Sequence, residues 1–132
     1  MAPDGIVIRD AHFPARVPIE AYGNGGFRFA GMSHRGALLC LPSGIHGWKE
    51  APATPDAIYP ASLLRLFAEA QAIQVLFVGT GRDLRPLSVA VRERCKAAGF
   101  VVEAMATGAA VRTFNVLLAE GRAVAAALMP VD

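Results

Sequence analysis

Between Ile73 and Val131 the chain alternates apolar runs with helical periodicity, and this stretch constrains the fold more than any other. Ile73-Gln74-Val75-Leu76-Phe77-Val78 is apolar at five of six positions, the pattern of a strand covered on both faces, as parallel sheets require. A helix is expected from about Pro86 to Ala98, with Leu87, Val91, Cys95 and Ala98 on one stripe and Gly99 as its C-cap. Phe100-Val101-Val102 reads as a second, very short strand. Thr107 is placed to cap a last helix that buries Ala110, Val111, Phe114 and Leu118 and ends at Gly121. Arg122 through Met129 then reads as the closing strand, stopped by Pro130. Two consecutive strand–helix crossovers imply parallel neighbours joined right-handedly.

The first half has a different character. After a frayed start, Ile6-Val7-Ile8 fits a short edge strand, and Pro14 and Pro18 exclude a central strand between them. Ile19 to Tyr22 is a short extended piece, Gly23-Asn24-Gly25-Gly26 a turn, and Phe27 to Ala30 a half-buried strand. Gly31 to Gly36 reads as a second turn, Ala37 to Leu41 as an apolar strand, and Pro42 to Trp48 as a loop. Beyond a proline-containing linker, a helix is expected from Ile58 or Pro60 to Gln71, with Leu63, Leu64, Phe67 and Ala70 at helical spacing. The fold class is therefore α/β. A central mixed sheet carries parallel strands and crossover helices in the C-terminal half, and antiparallel strands from the N-terminal half.

With 132 residues the chain has the size of one domain, taken here as residues 1–132. Its hydrophobic fraction, 54%, is high and its charged fraction, 18%, is low, which favours a compact body with apolar surface for a protein partner or a homodimer. Thirteen basic and eleven acidic residues, with no basic run, give a formal charge of +2 and no electrostatic footprint for nucleic acid. Cys40 and Cys95 have no metal-binding spacing and read as core thiols of a reducing compartment. The start lacks a long apolar region, and no eighteen apolar residues run together. A cytoplasmic protein is expected, with peripheral membrane contact left open.

In sheets of this kind the loops beyond the carboxyl ends of parallel strands form the default binding edge. Those loops are Gly79-Thr80-Gly81-Arg82-Asp83-Leu84-Arg85 and Glu103-Ala104-Met105-Ala106-Thr107. Two readings compete. The glycines serve tight turns and close packing, or the backbone N–H groups with Arg82 and Arg85 cradle an anion or a partner's carboxylate. Neither the dinucleotide fingerprint nor the P-loop pattern is complete. Glu103, Thr107, Arg112 and Asn115 are candidates for one polar cluster, either a structural network or a binding site. Trp48 either covers one end of the core or presents a binding contact.

Catalytic parts are missing. His12, His34 and His46 fall in expected loops without zinc-binding spacing, and the acidic residues do not pair. Cys40 could meet His34 or His46, but its place in an alternating strand favours the core, and no third orienting residue is evident. No cofactor or metal is implied, and the chain reads as non-catalytic.

The motifs taken together have a family likeness. Gly79-Thr80-Gly81, the run from Glu103 through Met105, Thr107, Ala110 and Arg112-Thr113-Phe114-Asn115, then Glu120-Gly121-Arg122 and the closing Ala125-Ala126-Ala127-Leu128-Met129-Pro130, carry it. Gly25-Gly26-Phe27, the Gly31 to Gly36 turn and the Pro42 to Trp48 loop add to it. Over about residues 6–130 the chain resembles the uncharacterised family grouped as domain of unknown function 498/598, which includes the mitochondrial complex I assembly factor 3. The resemblance implies an MTH-type three-layer fold with an additional small β element. It also implies a non-catalytic helper in building a membrane or respiratory complex, working through a protein partner. The family has no agreed catalytic residues to carry over; the Glu103–Asn115 loop with Gly79-Thr80-Gly81 marks its pocket only by resemblance.

Overall fold

The computed structural model describes residues 12–132, so the strand expected at Ile6 to Ile8 lies outside the described residues. Among the described residues, nine strands form two sheets. Strands β1 (His12–Phe13), β5 (Leu38–Leu41), β6 (Gly44–Gly47), β7 (Val75–Gly79), β8 (Val101–Met105) and β9 (Val124–Leu128) make a six-stranded sheet in the order β1-β6-β5-β9-β7-β8. Strands β2 (Ala21–Gly23), β3 (Gly26–Phe29) and β4 (Met32–Arg35) make a separate antiparallel meander. In the large sheet β9-β7-β8 is parallel, and β5 adds antiparallel to β9. The mixed sheet read from the sequence is thus present, with the small β element beside it.

The pleat sorts the core into two clusters. Leu39, Leu41, Leu76, Val78, Ala125 and Ala127 face helices α1 (Leu64–Ala68) and α2 (Val89–Ala98), which contribute Leu66, Val91 and Cys95. Leu38, Cys40, Phe77, Ala126 and Leu128 face the opposite way, onto Ala110, Val111 and Phe114 of α3 (Thr107–Ala119) and Phe27 and Phe29 of the meander. The crossover through α2 moves from β7 to its neighbour β8, and the one through α3 returns past β7 to β9. The two helices consequently cover opposite faces, giving three layers.

Several boundaries differ from the sequence reading for identifiable reasons. The stretch Gly31 to Gly36 is largely strand β4, because Ala30 and Gly31, both at positive φ (50° and 73°), make the two-residue turn. The Pro42 to Trp48 loop contains strand β6. Its Gly44 has φ 132° and admits no Cβ, since the Phe13 carbonyl of β1 lies against it. The helix expected up to Gln71 is broken into a 3-10 turn at Pro60–Leu63, α1, and a second 3-10 turn at Ala70–Ala72. At the first break the Ser62 carbonyl accepts from the Trp48 indole N–H at 2.7 Å. Leu64, expected on the buried stripe, is exposed. Helix α2 begins at Val89 rather than Pro86, capped by Ser88, whose hydroxyl accepts from the Val91 N–H. No helix among the described residues is long and apolar enough to cross a membrane.

Candidate functional site

Because α2 and α3 leave β7 and β8 towards opposite faces, the crevice between these strands opens at their carboxyl ends. Gly79, Thr80, Gly81, Met105 and Thr107 all meet there, and protein groups occupy it. The Thr80 N–H donates to the Met105 carbonyl at 2.8 Å, and the Thr107 N–H donates to the Gly81 carbonyl at 2.8 Å. The Thr107 hydroxyl accepts from the Gly81 N–H at 2.9 Å and donates to the Met129 carbonyl at 2.7 Å. Thr80 uses its hydroxyl on the Asp83 carbonyl and accepts from the Arg85 N–H. A Cβ on Gly79 would lie 2.9 Å from the Thr107 hydroxyl and 3.0 Å from a Leu128 methyl. Thr107 therefore does not cap α3 from outside; it is the first helical residue, and its hydroxyl bolts the helix start to β9.

The remaining candidates disperse. Asn115 clasps the backbone of Ile19, donating to its carbonyl at 2.8 Å and accepting from its N–H at 2.9 Å, which ties α3 to the segment entering the meander. Glu103 lies within β8, two residues short of the loop, and is exposed. Arg112 is also exposed, beside Gly108 and Tyr22 at the start of α3. The four-membered cluster of Glu103, Thr107, Arg112 and Asn115 thus does not form. Trp48 is only 3% exposed and closes one end of the core, with its indole satisfied by Ser62. It also borders a groove of about 470 Å³ along the carboxyl edge, lined by Arg82, Asp83, Arg85, Pro52 and Pro130 among others.

A charged cluster that the sequence did not announce sits on the β1–β6 edge of the sheet. Ser43, in the turn from β5 to β6, donates its hydroxyl proton to Glu69 at 2.6 Å, and its N–H donates to the same carboxylate at 2.8 Å. With that proton committed, the Ser43 oxygen accepts from His46 Nε2 at 2.8 Å, which sets the tautomer of His46. His12, the β1 partner of His46, stacks on it with ring centroids 4.1 Å apart and points Nε2 at the Ser43 carbonyl, 3.3 Å away. Burial, helped by the neighbouring His12 and Arg65 and opposed by Glu69, pushes the His46 pKa down to about 4. The carboxylate grips the serine rather than the far nitrogen of the histidine, so this is no serine–histidine–acid relay. Ser43 and His46 are three residues apart, but Glu69 sits at the C-terminal end of α1, 26 residues beyond Ser43, and only the tertiary fold brings it in.

The three histidines thus lie on strands β1, β4 and β6 instead of loops. Cys40 and His46 cannot pair, because Cys40 faces the α3 side while His46, opposite Leu39 in the register, faces the other. Burial raises both thiols, Cys95 to about 11 and Cys40 further, so both stay protonated at neutral pH.

Comparison with known proteins agrees with this architecture. An uncharacterised protein of Rhodobacter capsulatus is 39% identical over 122 residues, covering 92% of this chain and 91% of its own. The mouse NADH dehydrogenase [ubiquinone] 1 alpha subcomplex assembly factor 3 is 30% identical over 95% of this chain. The zebrafish protein of the same name is 37% identical over 85%. The chain spans 66% and 63% of the lengths of these two assembly factors. Among solved structures, a Bartonella henselae protein described as an outer membrane protein superposes with TM-score 0.86 at 50% identity, covering 92% of this chain and 100% of its own. A Bordetella pertussis protein described as a Mth938-like domain superposes with TM-score 0.73 at 30% identity, covering 95% of this chain and 92% of its own. The model of the protein family of unknown function DUF498/DUF598 matches residues 19–129, and the chain belongs to that family.

Proposed function

We propose that this chain is a non-catalytic binding module of the assembly-factor kind, which helps to build a membrane or respiratory complex by holding a protein partner. The observation that carries the reading is its likeness to the assembly factor 3 proteins, 30% identical over 95% of this chain in the mouse case. The interior supports it. The crevice where α/β proteins of this topology commonly hold small ligands is filled here by Thr80, Thr107 and backbone. We place the protein in the cytoplasm, working on a partner that is itself at or bound for the membrane.

The test is genetic. In a bacterium that carries both a close relative of this chain and a multisubunit NADH dehydrogenase, deletion of the relative should leave partial complexes on native gels. Re-expression of this chain should restore the full complex. A deletion strain with normal amounts of the assembled enzyme contradicts the proposal.

One observation favours a second reading. Arg82 and Arg85 line the groove of about 470 Å³ without an ion pair among the described residues, so an anionic small molecule is the alternative occupant. Saturable phosphate or carboxylate binding, lost in Arg82→Ala and Arg85→Ala, would favour a small-ligand sensor.

A further inference from the structure

The six-stranded sheet has two edges, and they are unlike. One is the two-residue β1; the other is β8, five residues in unbroken register with β7 from Val101 to Met105. Hydrogen bonds fix which way the backbone of β8 faces. The Val101 N–H donates to the Gln74 carbonyl at 3.1 Å, and the Met105 carbonyl accepts from the Thr80 N–H at 2.8 Å. Odd-numbered residues therefore turn their polar groups to β7, and the alternation turns those of Val102 and Ala104 outward. No described residue pairs with that outer row. Natural sheets blunt such an edge with proline, a bulge, a covering segment or a charge. Among the described residues only the last is present, as Glu103, an exposed carboxylate without an ion pair among them. Beside it Val101 is 60% exposed.

That carboxylate decides what can cover the edge. A second copy would use all the outward groups only by pairing β8 antiparallel with itself about Glu103, setting Val102 opposite Ala104 on both sides. The two Glu103 side chains would then face each other in a non-hydrogen-bonded pair, where side chains are closest, and like charges there repel. A segment with a basic side chain at that position gains what the second copy loses.

We propose that the β8 edge receives an extended segment of a partner protein as a seventh strand, with a Lys or Arg opposite Glu103. This deepens the binding-module reading, from which it takes only the existence of a protein partner. Strand addition supplies affinity through main-chain hydrogen bonds and specificity through alternate side chains.

The probes are labelled synthetic ten-residue peptides of alternating Val and Thr, with either Lys or Glu at one central position. The Lys peptide should bind the wild-type chain at least about tenfold more tightly than the Glu peptide, the size of one good charge-assisted contact. Glu103→Lys should reverse that preference. Val102→Pro removes an outward donor without touching the β7 ladder, so it should weaken both peptides about tenfold while the thermal transition stays cooperative. The proposal is overturned if neither peptide binds, or if Glu103→Lys leaves the preference unchanged. It is equally overturned if sedimentation shows a dimer that Val102→Pro dissolves, since the occupant is then a second copy. Because the deletion experiment makes no use of β8, normal rescue by Glu103→Lys alongside failed peptide binding would remove the edge proposal and leave the assembly reading standing.

Discussion

The two ends of the six-stranded sheet are held by opposite chemistry. At the carboxyl end of β7 and β8 the fasteners are neutral, two threonine hydroxyls and a ladder of backbone groups around Gly79, Gly81, Met105 and Met129. At the β1–β6 edge, the other lateral end of the sheet, a carboxylate, a serine and two stacked imidazoles join α1 to the β5–β6 turn and to β1. Neutral bonds in a dry crevice hold at any ordinary pH. Burial disfavours charge on the His46 ring, so the histidine cluster weakens as that ring takes up a proton. The carboxyl end should therefore be the permanent joint, and the histidine end the conditional one.

The largest effect that would break this contrast lies at Thr107, whose side chain is fully buried. Thr107→Val keeps the shape but strands the Gly81 N–H and the Met129 carbonyl, and should cost about 3 kcal/mol at one to two per orphaned group. Urea denaturation of the purified variant measures it; a loss under about 1 kcal/mol would show that the bolt is dispensable. Next comes Gly79→Ala, where the new methyl meets the Thr107 backbone as well as its hydroxyl. Overpacking here should cost about 2 kcal/mol by the same assay.

Acid comes third and acts on the other end. The His46 pKa is depressed from 6.5 to about 4, so the unfolded chain binds the extra proton first. The stability this histidine protects is complete above pH 6.5 and is lost as pH falls towards 4. Discounted for solvent reaching the cluster, the loss should be about 1–2 kcal/mol. Urea melts at pH 7 and pH 4.5 should show a smaller difference in His46→Gln than in wild type. Equal differences would mean the cluster is not the conditional joint.

The smallest effect sharpens the picture at the start of α3. A Cβ on Gly108 would collide only with the hydroxyl end of the partly exposed Tyr22 ring, which can swing aside. Gly108→Ala should therefore change stability by less than about 1 kcal/mol, the helix propensity of alanine offsetting the displaced ring. The two glycines look alike in the sequence and should differ in consequence.

The same contrast explains what could be read from residues alone. Strands β7 and β9 are nearly all apolar because both faces are covered, so their runs announce the parallel core. Strand β6 contains two glycines and a histidine, and β4 is polar and half-exposed, so neither carries a hydrophobic signal. Their existence rests on the Ala30-Gly31 turn and on the close passage of β1 over Gly44. Among the candidate residues, Gly79, Thr80, Gly81, Met105 and Thr107 meet because they end adjacent strands. Glu103 misses that edge because β8 runs three residues beyond the end of its apolar triplet. Asn115 went to Ile19, 96 residues away in sequence, a pairing no local pattern announces.

The claim on which the binding proposal depends is that β8 is an open edge with alternating backbone, and amide hydrogen exchange of the chain without partner tests it most directly. Amides of Val101, Glu103 and Met105, turned to β7, should exchange slowly, and those of Val102 and Ala104 should exchange far faster. Equal protection of all five amides would mean that something already covers β8, and the edge would not be available to a partner strand.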